Sequence, residues 1–157
     1  MSVTVHLELS RNFKTLCGKE KVFQLLADVP ESAGHFPKLA NLYDMGENTY
    51  YWEMEKIGLD RYAIGAEYAC KYMSDKKAGR VWWTPVEGEG NALIQGEWQI
   101  SQNGAVGCAV QFSTTAEITL KLPALAKIVV APLLRHEFEG MIDTYIRALQ
   151  QSFEELK

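Results

Sequence analysis

The amino-acid sequence predicts an α+β fold in which a curved, seven-stranded antiparallel sheet wraps around a long C-terminal helix. From Val106 to Leu122, apolar and polar residues alternate with a period of two, as in a strand with one wet face. From Leu134 to Leu149, apolar residues recur at the three- and four-residue spacing of a helix. Several strand-like runs separated by turn-forming segments lie between the N-terminus and this helix.

The beginning of the chain predicts one strand followed by two short helices. Apolar and polar residues alternate from Val3 to Ser10, which is typical of a strand. The apolar residues within Val22–Leu26 fit one face of a helix, which Asp28 and Pro30 should end. A second short helix is expected from Glu31 to Phe36.

Six further strands and the helix complete one predicted domain, 1–157. The strand-like runs lie at 39–45, 48–57, 65–74, 79–87, 92–101 and 105–121. The segments MGEN, SDKKAG, EGEGN and SQNG carry the turn signals between them. Within the C-terminal helix, Pro132 should either introduce a kink or begin the main segment.

Composition and charge exclude several classes of protein. The formal net charge is −4 and no block of basic residues occurs, so no nucleic-acid partner is expected. The three cysteines are far apart and have neither metal-binding nor disulfide spacing, which suits the reducing cytoplasm. Lysines and prolines interrupt the richest apolar window, Ile118–Leu134, so no stable membrane insertion is expected. A homodimer remains open.

The turn SQNG predicts the register of the last hairpin. A three-residue loop, Gln102 to Gly104, would place glycine in the left-handed position. That loop pairs Ile100 with Val106 and Trp98 with Cys108. The apolar faces of the two strands then coincide, as a sheet with one buried face requires.

The preceding turn, EGEGN, decides which of two neighbouring tryptophans faces the interior. A loop symmetric about residues 89 and 90 pairs Trp83 with Gly96 and Pro85 with Ile94. Trp83 would then face inward over a residue without a side chain, and Trp82 would face outward. A loop of odd length would reverse this assignment.

The predicted inner face of the sheet is rich in aromatic side chains. A helix about 10–12 Å across cannot cover a sheet about 29 Å wide, so large side chains, a ligand or both must fill the remaining space. The predicted ligand-binding residues on the sheet are Trp52, Tyr68, Tyr72, Trp83, Trp98 and Phe112. Those on the helix are Phe138, Met141, Ile142 and Tyr145.

The order of elements, the segment VEGEGNALIQGEWQI and the terminal helix resemble the SRPBCC superfamily. This superfamily shares the helix-grip fold of START lipid-transfer domains and Bet v 1-like proteins. The segment VPESAGHFPKL and the glycine-rich hairpin are similar to polyketide cyclase/dehydrase-like proteins and to carbon monoxide dehydrogenase subunit-like proteins. The resemblance covers nearly the whole chain and includes no catalytic signature. It implies an apolar cavity between the sheet and the long helix.

No metal site and no cofactor are predicted. The segment RHEFEG lacks the second histidine of a zinc-protease motif, because Gly140 occupies that position. His6, His35 and His136 lie on separate elements, whereas zinc needs three or four converging ligands.

No catalytic residue is predicted either. His35 lies near Asp28 and Glu31 in the sequence and could form an acid/base group with them, although a histidine on the helix surface is the alternative. The inward-facing polar groups are mostly hydroxyls and thiols. Tyrosine titrates near pH ~10 and is a poor base at neutral pH.

Three functional hypotheses remain open at this point. The protein could carry or sense a small hydrophobic or amphipathic molecule, such as a lipid, a sterol or a polyketide-like compound. It could be an accessory protein whose cavity is largely filled by its own side chains. It could also be an enzyme acting on an aromatic or polyketide-like substrate.

Overall fold

A computed structural model describes residues 1–59 and 62–157. The elements in chain order are β1 (Val3–Thr15), α1 (Lys19–Ala27), α2 (Val29–Ala33), β2 (Leu39–Gly46), β3 (Thr49–Met54), β4 (Ile57–Leu59), β5 (Tyr62–Ile64), β6 (Glu67–Asp75), β7 (Arg80–Gly90), β8 (Ala92–Gln102), β9 (Cys108–Leu120), a 3-10 turn (Ala124–Ala126) and α3 (Lys127–Leu156). The α+β prediction, with two short helices after the first strand, is confirmed.

The main sheet has seven antiparallel strands in the order β1-β9-β8-β7-β6-β3-β2. The apolar face of this sheet packs against α3 to form the core. A separate two-stranded sheet, β4–β5, was not predicted from the sequence. It forms because the expected strand at 48–57 ends at Met54 and pairing resumes at Ile57 with a different partner.

The second short helix begins earlier than the sequence predicted. It spans Val29–Ala33 rather than 31–36, because Asp28 caps it: the Asp28 carboxylate accepts a hydrogen bond of 3.2 Å from the Glu31 backbone N–H. Pro30 lies in the first turn, where its missing N–H would have no helical partner. In α3, Pro132 lies inside the helix, so it does not begin the main segment.

The predicted register of the β8–β9 hairpin was wrong by four residues. Ile100 pairs with Val110 rather than with Val106, and Trp98 pairs with Phe112. The chain forms a longer loop, which the Asn103 N–H closes by donating to the Gly107 carbonyl at 3.0 Å. Val106 lies in this loop and is exposed. Because the shift is an even number, the same residues still face the core.

The β7–β8 hairpin places Trp83 in the core, as predicted. Trp83 pairs with Gly96 and is buried, whereas Trp82 is partly exposed, with the Arg80 guanidinium 4.3 Å from its ring centre. The predicted pair of Pro85 and Ile94 is absent from the described ladder, which ends at Trp83 and Gly96. Beyond Trp83, β7 instead follows β6, where an irregularity in the register accommodates extra residues.

All three cysteines are buried and unbridged. Cys17 follows β1, Cys70 lies within β6, and Cys108 begins β9. The Cys108 thiol donates a hydrogen bond of 3.5 Å to the Cys17 carbonyl. Burial raises the pKa of both of these thiols. They therefore behave as small apolar core residues.

Candidate ligand-binding cavity

A cavity of about 60 Å³ lies between the inner face of the sheet, the two short helices and α3. Its lining residues are Leu26, Val29, Ser32, Ala33, Phe36, Trp52, Tyr68, Tyr72, Val81, Trp83, Ile94, Trp98, Phe112, Thr114, Phe138, Ile142 and Tyr145. The cavity therefore has a mainly aromatic and aliphatic wall with a few hydroxyl groups.

The structure brings together every residue of the sequence-predicted site except Met141. Phe138, Ile142 and Tyr145 line the cavity from α3. Met141 is partly buried and lines a shallow surface groove with Pro37 instead. The difference follows from helix geometry, since Met141 is rotated about 60° from Phe138 and lies at the edge of the inward stripe.

The cavity wall formed by the short helices was missed in the sequence. Val29, Ala33 and Phe36 lie on this wall, and their spacing of four and three residues is a helical signal that could have revealed it. Phe36 contacts both sides of the cavity. Its ring centre is 5.8 Å from that of Trp52 and 4.9 Å from that of Tyr145.

The aromatic residues form a nearly continuous set of ring contacts. Trp52 stacks on Tyr68 with ring centres 5.8 Å apart and planes inclined by 11°. The other ring-centre distances are 5.8 Å for Tyr72–Trp83, 6.0 Å for Trp83–Phe112, 4.6 Å for Trp98–Phe112 and 6.0 Å for Trp98–Tyr145. These distances lie in the favourable range for aromatic pairs, so the wall is rigid on most sides.

The polar atoms of the cavity differ in whether they have partners. The Tyr145 and Ser32 hydroxyls share a hydrogen bond of 2.5 Å, and the Thr114 hydroxyl donates to the Gln95 carbonyl at 2.9 Å. Trp52 is 6% exposed, and its indole N–H is buried without a hydrogen-bond partner among the described residues. Most buried donors are paired, so this indole N–H is available to a guest molecule.

The cavity hydroxyls are neutral donors at physiological pH. Burial raises the pKa of Tyr68 and Tyr72 well above the usual value and that of Tyr145 to about 12. The Trp52 indole slightly opposes the rise in the pKa of Tyr72, because its N–H would stabilise the phenolate. No carboxylate, imidazole or amine occurs among the described lining residues. The cavity can therefore offer hydrogen bonds to a neutral ligand.

The histidines lie outside the cavity. His35 follows α2, and its Nε2 lies 2.6 Å from the Ser152 hydroxyl on α3. Its Nδ1 lies 2.9 Å from the backbone carbonyl of Glu31, and Asp28 is engaged in capping α2, so the hypothetical acid/base group is not assembled. His6 and His136 are exposed. Across residues 1–59 and 62–157, no three metal-ligating side chains converge.

Comparisons with known proteins add information about the fold. No protein-family model matches the sequence, and no curated protein matches it significantly. Among solved structures, a START superfamily protein from Mycobacterium smegmatis has a TM-score of 0.69 at 11% identity, covering 96% of this chain and 99% of that one. The chain has the helix-grip fold. The fold expected from the SRPBCC resemblance is thereby confirmed.

Two enzymes are also similar in structure. The Zhui aromatase/cyclase from Streptomyces sp. R1128 has a TM-score of 0.60 at 13% identity, covering 96% of this chain and 92% of that one. A norcoclaurine synthase mutant from Thalictrum flavum, in complex with a transition-state analogue, has a TM-score of 0.64 at 13% identity, covering 98% and 97%. At such identities the likeness extends to the helix-grip fold and not to activity.

Proposed function

We propose that the protein binds a small, neutral, hydrophobic or amphipathic molecule, of lipid, sterol or polyketide-like character, between the sheet and α3. The buried, unpartnered indole N–H of Trp52 carries this proposal. A buried donor without a partner is unfavourable by about 1–3 kcal/mol. A ligand whose carbonyl or hydroxyl oxygen accepts this hydrogen bond would remove the penalty while its apolar part contacts the aromatic wall.

The size of the cavity limits what can bind without movement. Ligand sites usually measure about 300–1,000 Å³, whereas this cavity measures about 60 Å³. A sterol-sized ligand therefore requires the cavity to open. The five-residue helix α2 is the smallest element in the wall, and the Ser32–Tyr145 hydrogen bond fastens it to α3. Outward displacement of α2 and Phe36 would enlarge the cavity without disrupting the sheet.

The small volume also favours a second candidate function, that of an accessory protein whose interior is largely filled. In that case the aromatic side chains stabilise the fold, and function resides on the surface. A catalytic role is not part of our proposal, because the described lining residues include no group that exchanges protons near neutral pH. The three unbridged cysteines suit a cytoplasmic protein.

A matched pair of ligands distinguishes the two candidates. 1-Acetonaphthone and 1-ethylnaphthalene have nearly the same shape, but only the first carries a carbonyl. The proposal expects tighter binding of the ketone by about 2- to 12-fold, the range for one net neutral hydrogen bond. Indole N–H signals in NMR spectra should show the largest shift at Trp52. The substitution Trp52→Phe should abolish the preference, whereas Trp82→Phe on the outer face should preserve it.

Failure of both compounds to shift the Trp52 signal at saturating concentration would favour the filled-cavity candidate. Native mass spectrometry of freshly purified protein provides a second measurement. A co-purified neutral lipid or sterol would support the ligand-binding proposal and identify the class of ligand.

A further inference from the structure

The first turns of α3 carry a second apolar face that contacts nothing in the protein. Leu125, Ile128, Val129 and Leu133 are exposed, with Ile128 at 73%. Their spacing of three, four and eight residues from Leu125 places them on one side of the helix. The opposite side, which includes Val130, is buried against the sheet. We call the four exposed residues the α3 apolar stripe.

The α3 apolar stripe lies in the most cationic part of an otherwise acidic chain. Lys121, Lys127 and Arg135 surround it, and no acidic residue occurs from position 118 to position 136. All three cations are exposed. Among residues 1–59 and 62–157, none of them forms an ion pair. This arrangement leaves positive charge available at the edge of exposed apolar surface.

We propose that the α3 apolar stripe docks onto the surface of an anionic lipid membrane. An apolar helix face bordered by lysine and arginine is the pattern of helices that lie in the membrane interface. The aliphatic side chains would enter the boundary between head groups and acyl chains, and the cations would contact anionic head groups. None of the described helices is long and apolar enough to cross the bilayer, so docking would be peripheral.

The charges favour a membrane over a second copy of this chain. In a two-fold symmetric dimer, the same patch would face itself. Lys121, Lys127 and Arg135 would then approach their own counterparts, and like charges across an interface are unfavourable. An anionic lipid surface instead complements all three cations.

Docking through this stripe would orient the cavity with respect to the bilayer. The α3 apolar stripe ends at Leu133, and the same helix lines the cavity from Phe138 onward. The membrane-facing and cavity-lining segments are therefore consecutive turns of one rigid element. The docking proposal depends only on surface residues and does not require a ligand in the cavity.

Vesicle flotation tests this proposal with the full chain. The parent protein should float with vesicles of phosphatidylcholine and phosphatidylglycerol, and float much less with phosphatidylcholine alone. Ile128→Glu should lower the partition coefficient at least about tenfold, since it removes one buried aliphatic side chain. Lys127→Gln should lower it about fivefold at low salt, and high salt should reduce this difference.

A matched control separates the stripe from general surface hydrophobicity. Val106 is 72% exposed, close to the exposure of Ile128, and lies in the loop at the opposite end of β9 from the stripe. Val106→Glu should float as the parent does. Circular dichroism and the thermal midpoint of each variant establish that the fold is preserved.

Several results would overturn the docking proposal. The parent could fail to float with anionic vesicles, Ile128→Glu could float as well as the parent, or Val106→Glu could lose flotation to the same extent. Analytical ultracentrifugation provides one more test. A parent dimer that Ile128→Glu converts to a monomer, without vesicle binding by the parent, would assign the stripe to self-association.

Discussion

Replacing Gly96 by alanine tests how tightly the tryptophan wall of the cavity is packed. The Trp83 ring lies directly over Gly96 in the neighbouring strand. A Cβ atom at position 96 would lie 2.5 Å from Trp83 Cζ2 and 2.5 Å from the Ser113 carbonyl oxygen. Favourable contacts between carbon atoms occur at about 3.5–4.0 Å. The ring and a backbone oxygen of β9 would therefore both have to move.

The expected size of the effect follows from two opposing contributions. Overpacking a well-packed core is unfavourable by about 1–3 kcal/mol, and the upper half of this range applies because one obstacle is backbone. Replacing glycine also restricts the unfolded chain, which stabilises the fold by about 0.4–1 kcal/mol. The free energy of unfolding should therefore decrease by about 1–2.5 kcal/mol in Gly96→Ala.

Urea denaturation monitored by tryptophan fluorescence measures this change. With a slope of about 1–3 kcal/mol per molar, the midpoint should decrease by roughly 1 M without a change in slope. Gly140→Ala is the matched control, because Gly140 lies within α3 and nothing approaches within 4 Å of an added Cβ. That substitution should stabilise the protein by about 0.5–1 kcal/mol. Equal stability of Gly96→Ala and the parent would refute the close packing of Trp83.

Three further predictions concern the α3 side of the cavity. Ile142→Ala should lower the free energy of unfolding by about 2–5 kcal/mol, and Met141→Ala, at the edge of the stripe, by clearly less; similar losses in thermal denaturation would contradict the described orientation of α3. Tyr145→Phe should destabilise the protein at neutral pH by about 1–2 kcal/mol, because the buried Ser32 hydroxyl loses its partner, whereas Tyr43→Phe on the surface should have little effect in the same assay. Above pH ~10, the unfolded chain releases the Tyr145 proton while the folded chain, where its pKa is raised to about 12, retains it. The corresponding stability, about 2–3 kcal/mol, is fully present below pH ~10 and is lost as the pH approaches 12; a Tyr145→Phe variant with an unchanged alkaline loss in thermal midpoint would disprove this.

The sequence predicted the faces of the strands better than their registers. Alternation assigned Phe112 and Trp98 to the core correctly, because a residue's face depends only on whether its position is odd or even. The length of the β8–β9 loop depends on a tertiary contact. A Cβ at Gly107 would lie 2.5 Å from the Thr15 carbonyl oxygen, so β9 begins where β1 ends. Turn preferences within SQNG contain no information about β1.

The site was predicted in its sheet half and only partly elsewhere. Met141 was misplaced because three- and four-residue spacing defines a helical stripe only to within about one residue width. Phe36 was missed because it lies in a turn, where periodicity gives no orientation. The volume of the cavity is a small difference between the space under the sheet and the side chains that fill it. Rotamers decide that difference, and they are absent from any sequence pattern.

The three buried thiols have a practical consequence for studying how this protein opens. Alkylating reagents react with thiolates, and burial raises the pKa of Cys70 to about 12. Each cysteine should therefore be labelled only during excursions that expose it. Cys17 and Cys108 would report on fraying where β1 meets β9, and Cys70 would report on rupture in the middle of β6. Mass spectrometry of the unaltered protein could then reveal whether the sheet loosens first at its end or at its centre.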